Sequence, residues 1–433
     1  MAITTHRDIY GWETGANYGI ALSGVSVADA YLLDGTANTG CYYGRTRLRS
    51  AGGSTFTRVF SSLTLPSNTI SSWMARTRFF LRVAVAPDGN STVVLLLGDG
   101  AAPPGGSNVM LRLSTDLTWD LYQEMFLPTT VAGGNALTLN TWTEIVALFQ
   151  WVRTETSPGV FSDTATCSCT INGQTLSNTG IFTNLISTGR VLDRIVLGTV
   201  SGFSQPGPLT AGIVHFDDLT VMMQGDNAAI GASVTLPTAT RIRLIAASVQ
   251  GASAAWTGPV ANVQEVQLGN AAAGQTSAVA GQVTTFGHST FAQFGFSALQ
   301  VFKVYGHLRA SLPGPTTQQI RLNGVDYPVS ITNLYQGSGQ TPIAVDWTPY
   351  TATQFNAAEF GVVNSTGASL TLGAIHGEVL YTPGATNWLQ CNSAVGGGDD
   401  QAGGGSSAGG GGGIDPNYVP PCTGLRGSPR IGV

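Results

Sequence analysis

ATCSCTINGQTL, Ala165 to Leu176, decides the fold class of this chain. Ala165, Cys167, Cys169 and Ile171 hold alternate positions, and Thr166, Ser168 and Thr170 fill those between. A period of two puts the apolar and small residues on one face of a strand and the hydroxyls on the other. Asn172-Gly173 follows. That dipeptide readily supplies the two positive φ angles of a type I′ turn, so the segment predicts a β-hairpin.

The same grammar runs outward in both directions. From Trp73 to Val85 the odd positions are Trp, Ala, Thr, Phe, Leu, Val and Val, while the even ones include Arg76, Arg78 and Arg82. One face core and one face charged is the signature of a half-buried strand. Val93–Leu97 is a short continuous apolar run, as expected of a strand covered on both faces. Further strands are expected at 143–152, 194–197, 213–221, 301–310, 360–364 and 370–381. A second Asn-Gly turn, Asn323-Gly324, lies inside IRLNGVDYPVSI. No sustained apolar stripe at i, i+3, i+4 accompanies them. The fold class is therefore all-β: two tandem antiparallel β-sandwich domains, jelly-roll-like, ahead of a Gly-rich C-terminal tail. The expected boundaries are 1–224 and 239–383, with a small-residue linker at 225–238 and the tail at 384–433.

Only 10% of the 433 residues are charged and 42% are hydrophobic, with 57 glycines. That is far from the composition of a disordered chain. A charge-poor surface suits lasting contact with neighbours, because few ions need desolvating on assembly. The net charge of −5 argues against nucleic acid as a partner. Of 19 basic residues all but Lys303 are arginine, the cation preferred for planar, bidentate contacts; a GC-rich coding sequence would give the same bias. No stretch is long and apolar enough to insert in a membrane. The N-terminus lacks the basic and apolar regions of a secretory signal, so synthesis and assembly in the cytoplasm of a host are expected. The five cysteines are odd in number and scattered, which sets up no disulfide framework.

Five segments together resemble a concanavalin A-like lectin/glucanase sandwich of the laminin-G-like sort: YGRTRLRS (43–50), TWTEIVALFQWV (141–152), CSCTINGQTL (167–176), RIVLGTV (194–200) and GIVHFDDLTV (212–221). Their order and spacing fit across most of residues 20–223. The second half, with VFKVYGHLRA, IRLNGVDY, FNAAEFGVVN and IHGEVLY, is similar in style to sandwich domains appended to phage particle proteins.

Glycan hydrolysis on a concanavalin-type frame needs two carboxylates flanking the sugar. Glu13, Glu124, Glu144 and Glu155 each stand alone, so no catalytic residues are assigned and a non-enzymatic protein is expected. Asp217-Asp218 are adjacent in a strand and are expected to point to opposite faces, a structural arrangement rather than a calcium site. Cys167-x-Cys169 has no second ligand pair and reads as two small core residues. No metal and no cofactor is expected. One feature offers chemistry: Arg45, Arg47 and Arg49 share one strand face and Arg76, Arg78 and Arg82 another. These guanidinium groups could engage a neighbouring subunit or an anionic host surface glycan, or pair internally with acidic residues across the sheet. The tail from Gly396 to Gly413 would span about 20–25 Å as a flexible tether. It ends in a candidate docking peptide with Ile414, Tyr418, Val419, Leu425 and Ile431.

Together these features predict a structural protein of a bacteriophage virion (fibre, collar, tail or capsid decoration), held by contacts with other virion proteins and with copies of itself as a homo-oligomer. The alternative is a carbohydrate-binding adhesin or receptor-binding protein. A glycan hydrolase ranks third.

Overall fold

A computed structural model describes residues 4–12, 21–23, 31–33, 42–47, 55–64, 71–88, 92–98, 108–125, 127–183, 191–198, 211–225, 240–263, 274–288, 296–310, 316–331, 344–346 and 350–383. Residues 226–238 of the expected linker and the whole Gly-rich tail lie outside them. The chain divides into two compact units. One comprises Met1–Tyr10, Ile20–Leu32 and Tyr43–Leu236; the other comprises Gly11–Gly19, Leu33–Tyr42 and Pro237–Val433. The described residues are overwhelmingly strand, and every ladder is antiparallel, so the chain is all-β.

In the first unit the strands begin with β1 (Thr4–Tyr10), β2 (Ala21–Ser23), β3 (Tyr31–Leu33), β4 (Tyr42–Arg47) and β5 (Thr55–Thr64). Next come β6 (Ser71–Val85), β7 (Thr92–Gly98), β8 (Asn108–Leu113), β9 (Trp119–Met125) and β10 (Leu127–Gly134). The set closes with β11 (Thr143–Ser157), β12 (Val160–Ile171), β13 (Gln174–Thr183), β14 (Val191–Gly198) and β15 (Ile213–Gly225). Sheet A runs β13-β12-β11-β6-β15-β4-β3 and sheet B runs β10-β9-β8-β7-β14-β5-β2. One edge of β15 is shared: Ile213–Phe216 pair with β4, and Leu219–Gly225 pair with β1.

Alternation explains what each strand buries. Phe79, Ile145, Phe149, Cys167, Cys169 and Phe216 of sheet A are all fully buried, as are Ile195 and Leu197 of sheet B. The Phe79 and Phe216 rings pack 5.9 Å apart. Each such aromatic or aliphatic side chain contributes about 1.5–3 kcal/mol relative to exposure. Burial pushes the Cys167 thiol up to about 12, and raises Cys169 as well. In β7 the consecutive residues Val94 and Leu95 are both buried, at a register shift between Val93 and Leu95. The hairpin forms as expected: Asn172 and Gly173 have φ of 50° and 77°, and Ile171 pairs with Gln174. Gln174 then ties β13 to the end of β10. Its amide donates to the Gly133 carbonyl at 2.8 Å and its oxygen accepts from the Asn135 N–H at 2.7 Å.

In β6 the simple division into core and charged faces fails. Arg78 is 1% exposed, and Met74 and Phe80 on the same face are also buried. Arg78 Nε donates to Glu144 on β11, and its guanidinium lies 5.2 Å from the Phe80 ring centroid.

The second unit holds β16 (Arg241–Ala254), β17 (Gln275–Ser277), β18 (Val283–His288), β19 (Phe296–Ala310) and β20 (Thr316–Leu322). After them come β21 (Val325–Ile331), β22 (Ala344–Asp346), helix α1 (Ala352–Ala357), β23 (Phe360–Val363) and β24 (Leu370–Pro383). Their order is β21-β20-β23-β18-β16-β24-β19-β22, with β17 on β24. β16 changes partner along its length, pairing with β24 over Arg241–Ala246 and with β18 from Ala247 onward. Ile245, Phe286, Val304, Ile320, Phe355, Phe360 and Val379 fill the core. The second expected turn is present, with φ of 48° at Asn323 and 81° at Gly324. Helix α1 was not anticipated. Thr351 caps it and Gln354 returns the bond, a reciprocal capping box.

A cluster of polar side chains in this unit is paired internally. The Gln275 amide donates to Gln250 Oε1 at 3.1 Å and to the Gly258 carbonyl at 2.9 Å, while its oxygen accepts from the Thr284 hydroxyl at 2.8 Å. Gln250 in turn donates to Ser253, Thr284 and Thr285. Such closure offsets the desolvation that a fully buried amide would otherwise cost.

Candidate functional site

Strands β4, β15 and β6 lie side by side in sheet A, and one register row crosses all three. His215 pairs with Arg45 on one side and with Arg82 on the other. Val214 and Phe216, the neighbours of His215, are fully buried in the core. Alternation therefore turns His215 to the outward face of the sheet, and the two arginines with it.

The row extends to a fourth strand. Thr143 pairs with Leu81, which sets Trp142, one residue earlier, beside Arg82. The Trp142 and His215 rings stand 6.4 Å apart at 48°. The turn before β11 holds Trp142 there. Asn140 adopts φ 58°, a left-handed conformation that asparagine tolerates, and its N–H donates to the Val83 carbonyl at 2.9 Å. Its side-chain oxygen accepts from Arg82 Nη2 at 3.4 Å. Arg45, Arg82 and Trp142 are half-buried, while His215 is 5% exposed. The Nε of Arg45 is buried with no hydrogen-bond partner.

The two arginine groups singled out in the sequence thus share one face of one sheet. Arg45 and Arg82 flank His215; Arg76 is half-buried on the same face, opposite Leu148 and Met222. Arg47 occupies the next outward position of β4, where the Arg47 side chain is outside the described residues. Arg78 is not available as a contact residue, because it is buried against Glu144 and Phe80. Arg49 and the docking-peptide residues Ile414, Tyr418, Val419, Leu425 and Ile431 lie outside the described residues. His215, Trp142 and Asn140 were missed in the sequence, since nothing local says which strands become neighbours.

Asp217 and Asp218 depart from plain alternation. The β15–β6 register shifts between Asp217 and Thr220, Asp218 has φ 49°, and both carboxylates are fully buried. The Asp218 N–H donates to Asp217 Oδ1 at 2.8 Å. This bulge lies two residues beyond His215 along β15.

Two further arginines are matched internally by carboxylates of the chain. On sheet B, Arg112 makes a two-pronged contact with Asp120 at 2.7 and 2.9 Å and stacks 4.3 Å over Tyr122. On β20, Arg321 grips Asp326 at 2.6 and 2.8 Å, and that bond raises the arginine's proton affinity further. Lys303 and Glu378 face each other across β19 and β24, and both are buried. The Arg45–His215–Arg82–Trp142 row sets an arginine on either side of a histidine, with an aromatic ring at one end. Such a row can donate charge-assisted hydrogen bonds to a ligand and offer it a flat apolar surface.

No protein-family profile matches the chain, and no curated protein sequence matches it. Its fold is similar to several solved β-sandwich structures. An alginate lyase Aly36B variant in complex with alginate trisaccharide matches with a TM-score of 0.34 and 14% identity over 50% of this chain and 97% of that one. The marine PL-14 alginate lyase from Aplysia kurodai gives 0.31 and 11% over 51% and 89%. Peanut lectin gives 0.29 and 10% over 52% and 100%. At these scores the likeness assigns neither activity nor ligand, and nothing in it bears on a bacteriophage particle.

One expectation is corrected by these likenesses. The chain was read as a non-enzyme, but lyases recur among the structures it resembles, so that exclusion is withdrawn. The reason is chemical: missing paired carboxylates count against hydrolysis of the glycosidase kind. They say nothing about a bond broken by elimination.

Proposed function

We propose that this protein binds carbohydrate, and that the outward face of sheet A in its first unit is the binding surface. One observation carries the reading: the cross-strand row in which Trp142 ends a line of Arg45, His215 and Arg82. A pyranose ring presents an apolar face of C–H groups and a rim of hydroxyls. An aromatic side chain serves the first and fixed polar groups serve the second, a division typical of small-molecule sites. Strands rather than loops hold three of the four residues, so the spacing is preset and little ordering entropy opposes binding.

The test is a glycan array with the full chain, followed by titration calorimetry on the best ligand. Wild type is expected to bind at least one glycan, and Trp142→Ala to weaken it by about tenfold or more, since a desolvated aromatic contact of this sort contributes roughly 1–2 kcal/mol. An array without hits at high protein concentration, with the protein folded, overturns the proposal.

A further inference from the structure

We infer that the glycans this face selects are acidic ones, with ring carboxylates seated against Arg45 and Arg82. The inference rests on the carbohydrate-binding reading and deepens it. Guanidinium groups present planar forks of donors that match a carboxylate in two-pronged fashion, and arginine is more weakly hydrated than lysine, so it loses less on contact. Here the two arginines rise from backbone positions two strand spacings apart, about 10 Å, on either side of His215. That separation exceeds the width of one carboxylate and fits charges carried on different sugar rings of one oligosaccharide.

Arg45 supplies the second observation. Arg78, Arg112 and Arg321 each meet a carboxylate of the chain itself, in Glu144, Asp120 and Asp326. Arg45 has no such partner among the described residues, and its Nε is withdrawn from solvent without a hydrogen bond. A buried donor left in that state is costly and calls for an explanation. An incoming carboxylate that meets the accessible part of this half-buried side chain and draws its Nε outward would satisfy it. A neutral hydroxyl would satisfy it less well, because only the ionised acceptor adds the charge-assisted component. The aromatic ring at the far end of the row then sets direction: the acidic rings lie over the arginines and the terminal ring over Trp142.

The experiment compares polygalacturonate oligosaccharides with neutral cello-oligosaccharides on the full chain at low and high salt. The acidic series is expected to bind about tenfold tighter or better, and to weaken as salt rises. Arg45→Gln and Arg82→Gln should each cost about tenfold or more against the acidic series and clearly less, about two- to fivefold, against the neutral one, where only an ordinary hydrogen bond to a hydroxyl is lost. Arg45→Lys keeps the charge and loses the fork; an intermediate loss supports two-pronged seating. Arg321→Gln in the second unit is the control and should change nothing. If the variants fold, as circular dichroism will show, and both series bind alike in all of them, the acidic selection is overturned while carbohydrate binding stands. If neither those oligosaccharides nor any arrayed glycan binds wild type, the underlying reading falls instead.

Discussion

Replacing Gln275 by leucine tests the polar network of the second unit. The side chain is fully buried and takes part in three hydrogen bonds, to Gln250, Gly258 and Thr284. Leucine fits the space but has no polar atoms, so the Gln250 oxygen and the Gly258 carbonyl lose their donor. The Thr284 hydroxyl keeps only the bond it accepts from Gln250. At about 1–3 kcal/mol for each stranded buried group, discounted because Gly258 is exposed and Gln250 half-buried so that water can replace part of each bond, the loss is about 2–4 kcal/mol. For a unit of this size that lowers the midpoint of its thermal transition by roughly 10 °C. Scanning calorimetry of the full chain reads the shift. Hydrogen exchange followed by mass spectrometry assigns it to the second unit through the neighbouring amides of Thr257 and Thr276, which bond reciprocally at 2.9 and 2.8 Å. The double variant Gln275→Leu with Thr284→Val removes both halves of one pair and should cost less than the sum of the singles by about 1 kcal/mol. A loss below about 1 kcal/mol in the single variant, with those amides still protected, would refute the reasoning.

Two glycines should respond differently to alanine. A Cβ on Gly361 would lie 1.9 Å from the Thr284 carbonyl oxygen on the paired strand, so Gly361→Ala is expected to cost 3 kcal/mol or more, on the order of severe overpacking, or to leave the second unit unfolded. Gly324→Ala meets open space but needs φ of 81°, and should cost only about 1–2 kcal/mol by urea denaturation. Asp116 accepts from the Thr118 hydroxyl and N–H, and these bonds hold its carboxyl below the usual 3.8. Because the folded value is depressed, the stabilisation is present above the unfolded value and lost as pH falls through the folded one. Carbon-detected NMR titration should show Thr118→Ala moving the Asp116 midpoint upward, and an unmoved midpoint would count against the assignment.

The β-class was written locally. Asn172-Gly173 and Asn323-Gly324 both took the conformation their chemistry favours, and Cys167, Cys169 and Ile171 went where alternation sent them. Arg78 shows where local reading stops. Its position in the pattern said surface, yet Glu144 reaches it from a strand far along the chain and Phe80 lies against it. Helix α1 spans only Ala352–Ala357, too short to display a period, although Thr351 and Gln354 stood at capping-box spacing. The candidate site was half visible. The arginines announced themselves by alternation, but Arg45, Arg82, Trp142 and His215 meet only through pairings between segments distant in sequence. A lone histidine between two core residues carries no mark of its future neighbours.

The pairing of β1 with β15 has a consequence in time. Thr4–Tyr10 leaves the ribosome well ahead of its partner Leu219–Gly225, which is made about 200 residues later. At roughly 5–20 residues per second the wait is on the order of 10–40 s. During that interval the first strand has no mate, and both Ile9 and Tyr10, which end buried, have no finished core to enter. The first unit therefore cannot fold progressively as it emerges. It must be held open until β15 arrives, and a chain interrupted before residue 213 would carry an unmatched sticky edge at each end of the gap. Expression of this protein is accordingly expected to depend on translation speed and on chaperones that shield extended segments.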